Sequence, residues 1–231
     1  PNSLGQTLCN LNTAQILSWP IDPAAQKQVA DFIASRQGLP GSYAGMFAPT
    51  SQDFEHRPMR LATGETLTTG AALAHIAGEE SCRALLSLGI KTGPVTQALK
   101  VATTNMVHRL GWQEKSTRNH WTYYCCGKCT VSVWRNLLAG GLNQSTSTRH
   151  QLLDQSLAHL KRARLGNGRW RVFPFYYTLL ALTEMPYELA RPELSYAAPV
   201  CQRLIKRKSG EKLTSQVQFV ILQRALKLVA R

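Results

Sequence analysis

Acidic residues are scarce in this chain. Its 231 residues include 27 Lys and Arg against 13 Asp and Glu, a formal charge of +14. Only four of the acids are Asp (Asp22, Asp31, Asp53 and Asp154), and each stands alone. That excludes any motif built on an Asp-rich run. Long apolar runs are missing as well. None reaches the ~18 residues of a membrane-spanning helix, and the first residues lack the basic-then-apolar order of a secretory leader. Walker, GxGxxG, GxSxG and HExxH motifs are all absent, which removes the commonest signposts to nucleotide, dinucleotide, hydrolase and zinc-protease chemistry. Period-two alternation is rare, so a sheet-rich fold is excluded too. The six cysteines, Cys9, Cys82, Cys125, Cys126, Cys129 and Cys201, lie in apolar helical stretches and not in a disulfide framework. A chain of this length needs no stapling, and a reducing, cytoplasmic setting is expected.

What remains is helical periodicity on a basic background. Pro20-Ile21-Asp22-Pro23 opens a helix over 24–36, because Asp caps and Pro suits the first turn. Its apolar Val29, Phe32 and Ile33 fall at i, i+3 and i+4. The spacing predicts further helices over 66–77, 78–88, 94–110 and 128–139, the last stopped by Gly140-Gly141. Others follow over 146–164, 173–184, 196–206 and 213–229. Gly38 to Thr63 reads as a long loop, a length that is uncommon inside a compact domain and often functional.

The chain also repeats itself. Gly168-Arg169-Trp170, Phe173-Pro174-Phe175-Tyr176 and Leu179-Leu180-Ala181-Leu182 run glycine, aromatic, proline and apolar helix. Gly127-Lys128-Cys129 with Trp134, Leu137 and Leu138 follows the same order, as does Gly41-Ser42-Tyr43 more loosely. A spacing near 42 residues with two helices per unit predicts tandem helix pairs packed as one domain over 1–231. These turns resemble the repeat of the prenyltransferase and squalene cyclase superfamily. The resemblance implies an all-α fold: an α/α toroid, an open arc, or part of a ring completed by a second copy. It does not carry the catalytic motifs of those families. There is no Asp-rich acid motif, and no Asp lies near Cys129 to complete an Asp, Cys and His zinc set. A HEAT-like solenoid is the alternative architecture.

Three constellations carry chemical interest. The densest ligand cluster is His120-x4-Cys125-Cys126-x2-Cys129, whose CxxC suits zinc or redox work. No second CxxC accompanies it, and Cys126 and Cys129 would serve equally as small hydrophobes opening a helix. No cofactor is therefore expected, zinc being the one these residues could hold. Glu79-Glu80 is a paired carboxylate suited to acid–base work, or to a helix N-terminus if a helix starts after Gly78. His75, four residues before Glu79, reads as a core histidine.

The basic clusters weigh most. Lys161, Arg162, Arg164, Arg169 and Arg171 lie near Trp170, Tyr176 and Tyr177, and Arg203, Lys206, Arg207 and Lys208 form a second group with Lys212. Arg118, His120, Trp121, Tyr123 and Tyr124 form a third. Cations meet phosphates and aromatic faces stack on bases. The expected function is a non-catalytic binding module for an anionic partner, foremost nucleic acid. Trp121, Trp134, Trp170, Phe175 and Tyr176 are the candidates for stacking or for lining a pocket. The other reading is an enzyme or sensor holding a prenyl diphosphate in an aromatic chamber.

Overall fold

The computed structural model describes residues 2–55, 59–111, 119–207 and 212–231. The described residues are all-α, with one two-stranded hairpin. The helices are α1 (Leu4–Leu17), α2 (Pro23–Ser35), α3 (Ser51–Glu55), α4 (Gly70–Leu88), α5 (Gly93–Gly111), α6 (Gly127–Leu138), α7 (Thr146–Arg162), α8 (Phe175–Glu184), α9 (Tyr187–Arg207) and α10 (Leu213–Val229). None of them is long and apolar enough to cross a membrane.

Local chemistry accounts for most helix ends. Asp22 accepts from the Ala25 amide and Ser145 from the Thr148 amide, each filling one orphan donor of a first turn. Helix α1, absent from the sequence expectation, is capped locally by Ser3, whose Oγ accepts from the Gln6 amide at 2.8 Å, and also by a distant residue. The Asp53 carboxylate accepts from the Leu4 and Gly5 amides at 3.1 and 3.0 Å. The break expected at Gly78 does not occur, and α4 runs through it. The glycine is there for packing: a Cβ would stand 2.6 Å from Met46 Cε. Helix α9 starts nine residues before the expected Tyr196 and contains Pro192 and Pro199. Both prolines are exposed, and the Pro192 carbonyl accepts from Arg164 Nη2 at 3.0 Å.

Packing follows a cycle. Helix α1 packs on α4, α4 on α6, α6 on α8, α8 on α10, and α10 returns to α1. Helices α2 and α5 flank α4, α7 lies against α6 and α9, and α9 lies against α8 and α10. Two apolar clusters fill the cycle, and α6 feeds both. Cys129, Val133 and Leu137, spaced i, i+4 and i+8, enter the cluster with α1, α2, α4 and α5. Val131 and Trp134 enter the cluster with α7 to α10.

The long segment expected as a loop is partly ordered. It holds a 3₁₀ turn at Tyr43–Gly45, α3, and the first strand of a hairpin, β1 (Met59–Arg60) with β2 (Thr66–Leu67). This hairpin sits across the starts of the cycle helices. Glu65 Oε1 accepts from the Tyr177 amide in the first turn of α8, and the Thr66 carbonyl accepts from Lys128 Nζ of α6. The Thr63 carbonyl accepts from Gln218 Nε2 of α10.

Candidate functional site

At the centre of the cycle lies a buried ionic network. Glu80 of α4 and Arg135 of α6 are 3% and 2% exposed. Arg135 Nη1 donates to Glu80 Oε1 at 2.6 Å, and Arg83 Nε donates to Glu80 Oε2 at 2.9 Å. The Tyr177 hydroxyl donates to Oε1 at 2.6 Å, and Asn12 Nδ2 to Oε2 at 3.0 Å. Arg135 also grips Glu184 with two 2.9 Å bonds. Burial opposes ionisation of Glu80, but Arg135, Arg83 and Tyr177 overcome it and hold its pKa at about 2. A carboxylate with four donors and so low a pKa is a structural anion, not a general base. The helix-start role considered for Glu79-Glu80 does not apply, because α4 begins at Gly70 and places both in its middle.

A hollow against this network measures about 20 Å³, the room of about one water. Trp134, Trp170, Phe175 and Tyr176 do not line it. Trp134, Trp170 and Phe175 are packed in the core at 0%, 4% and 7% exposure, so they are not stacking platforms. Trp134 stacks on Phe173, and Trp170 on Phe175, while the Trp170 indole N–H donates to Glu193 at 2.8 Å. Large rings with one polar handle belong there on burial grounds. Trp121 and Tyr176 are half-buried.

The cations divide in the same way. Arg164 is not free: it pairs with Glu193 at 2.8 Å and lies 4.4 Å from the Tyr196 ring centroid. Arg169 is half-buried, 4.5 Å from the Phe175 ring centroid. Lys161, Arg162, Arg171, Arg203, Lys206 and Arg207 are exposed, and none forms an ion pair among the described residues. Arg162 hydrogen-bonds to His159 Nδ1 at 3.0 Å. Burial and this guanidinium both push the His159 pKa down, which keeps its ring a neutral acceptor. Lys208 and Arg118 lie outside the described residues.

The turn between α7 and α8 packs on α9. A Cβ on Gly168 would stand 2.5 Å from Val200 of α9, and the α7–α8 turn therefore rests against the helix that carries Arg203, Lys206 and Arg207. Val172 in this turn is 62% exposed with φ of 61°, a left-handed conformation that a β-branched residue rarely adopts. Its carbonyl packs where a Cβ on Gly127 would be, at 2.1 Å. The turn is thus clamped from beneath by the start of α6, with Arg171 and Val172 facing solvent.

A second constellation gathers at the start of α6. One ring nitrogen of His75 and the Sγ atoms of Cys125 and Cys129 lie within 4.8 Å of one another. Cys126 is the N-cap of α6. The neighbouring Cys125 and Cys129 thiols, and amides of the first turn, pull the Cys126 pKa well below the usual thiol value, and Cys129 is pushed up by its thiol neighbours and by burial. His75 lies between the Tyr43 and Tyr124 rings, 4.5 Å from each centroid. Of the candidate ligands His120, Cys126 and Cys129, the histidine is not the one that meets the thiols: His75, fifty residues upstream of Cys125 in the chain, does so, while His120 packs edge-on against Tyr124 at 5.7 Å. Spacing could not reveal His75, because only the packing of α4 on α6 brings it there. No family model, curated protein or solved structure matches the chain.

Proposed function

We propose that this chain is a helical-repeat module that holds a polyanion, nucleic acid through its phosphates, on the surface shared by the α7–α8 turn and the end of α9. One observation carries this reading. Six exposed cations (Lys161, Arg162, Arg171, Arg203, Lys206 and Arg207) on the end of α7, the α7–α8 turn and the end of α9 form no ion pair among the described residues. Unneutralised cations in such number raise the local concentration of anions and favour phosphate contacts over base readout. Two further features support it. The buried aromatics leave no platform for specific base stacking among Trp134, Trp170 and Phe175. The hollow against the central network has room for about one water, far less than a prenyl diphosphate occupies.

The test is a fluorescence-anisotropy titration of labelled single- and double-stranded oligonucleotides across a salt series. Six phosphate contacts correspond to a slope of about −5 in log K against log salt for duplex DNA. Affinity that is absent at low salt, or flat across the series, overturns the reading.

A further inference from the structure

We propose that His75, Cys125, Cys126 and Cys129 form a structural zinc site that ties α4 to the start of α6. The donor set is the first argument. Two thiols and an imidazole already lie within 4.8 Å of one another, and Cys126 at the N-cap of α6 is adjacent to Cys125 in the chain and three residues before Cys129. Around tetrahedral zinc, thiolates bound at about 2.3 Å stand about 3.8 Å apart. Closure therefore asks His75, Cys125 and Cys129 to move by about 1 Å, with Cys126 turning in from the N-cap of α6 as the fourth ligand. Nitrogen and sulfur donors in a four-ligand set select zinc over the hard, oxygen-seeking cations.

The second argument is independent of the thiols. His75 is 1% exposed, and neither of its ring nitrogens finds a hydrogen-bond partner among the described residues. Its nearest carboxylate oxygen, Glu79 Oε1, stands 3.4 Å from Nε2 and is itself without a hydrogen bond. A polar ring sealed from water ordinarily has a partner, and a metal ion would supply one. Access exists as well, because Cys125 is exposed while Cys129 and His75 are buried. On binding, each cysteine forms a sulfur–zinc bond and releases its thiol proton to solvent, with no change of oxidation state. The set differs from the Asp, Cys and His set implied by the sequence resemblance, and it does not depend on the polyanion reading.

The experiment is a titration of the full chain with Co²⁺, with zinc removed and a non-chelating phosphine reductant present. We expect one Co²⁺ per chain, with the intense d–d bands of tetrahedral cobalt and a thiolate charge-transfer band, both abolished by added Zn²⁺. Cys125→Ser alters an exposed side chain and should leave the fold intact. It should weaken cobalt binding by more than about 100-fold, beyond the effect of losing an outer partner. Cys9→Ser should leave binding unchanged. A wild-type titration without tetrahedral bands overturns the proposal, as does a Cys125→Ser variant that binds as tightly as Cys9→Ser.

Discussion

Replacing Arg135 by Met keeps most of the side-chain volume and removes the charge at the centre of the helix cycle. The loss is calculable in outline. Arg135 donates to Glu80, to both oxygens of Glu184 and to Asn12, from a position 2% exposed. Removing one partner of a buried ion pair costs about 3–5 kcal/mol, since the remaining charge is left unpaired in low dielectric. For a chain of this size that lowers the melting temperature by about 6–20 °C. Circular dichroism melts and urea titrations at pH 7 measure it. A double-mutant cycle with Glu184→Gln should return a coupling of about 1 kcal/mol, reduced because the Glu184 side chain is 30% exposed. Acid provides a second reading of the same network. The Glu80 pKa is about 2 against an ordinary 4.5. A depressed folded-state value means the unfolded chain binds the proton first, so stability rises with pH. About 3 kcal/mol is fully present above pH 4.5 and is lost as pH falls towards 2. Arg135→Met should flatten that dependence. A loss below about 1 kcal/mol, with the acid profile unchanged, would refute the network as a stabilising centre.

Other perturbations separate the surface from the core. Arg162→Glu with Arg203→Glu should weaken oligonucleotide binding and reduce the salt slope by about 2, one contact for each cation lost. Arg164→Ala should leave that slope unchanged and lower stability by about 1–3 kcal/mol, because its partners are Glu193 and Tyr196. Gly127→Ala drives a methyl into the Val172 carbonyl at 2.1 Å, and thermal denaturation should show a loss of about 1–3 kcal/mol. Zinc held at a thousand times its dissociation constant should stabilise the chain by about 4 kcal/mol. A strong chelator should reverse this, with a melting shift of about 8–16 °C.

Helix positions were legible wherever the signal was local. The cap at Asp22-Pro23, the Ser145 cap and the glycine stop after α6 all lie within a turn of the ends they set. The early start of α9 was hidden because Pro192 reads as a breaker, and its exposure on the outer face is what makes it tolerable. Lys161 and Arg162 read correctly as exposed cations, whereas Arg164, two residues on, looked the same and is paired. Nothing within a helical turn of Arg164 announces Glu193, which lies twenty-nine residues away.

By itself the sequence determined the all-helical class, the ends of the helices with clear local stops such as α2, α6 and α7, and the excess of positive charge. These follow from 3.6-residue periodicity, short-range capping and composition, all of which act within a few residues. Tertiary structure alone decided which charges stay free, which carboxylate is ionised at the centre, and which histidine meets the thiols. Each of those depends on faces brought together across the chain: Asn12 with Glu80, Glu80 with Arg135, and His75 with Cys125 and Cys129. A buried charge or imidazole is stable only beside its partner, and that partner is chosen when the cycle from α1 to α10 closes.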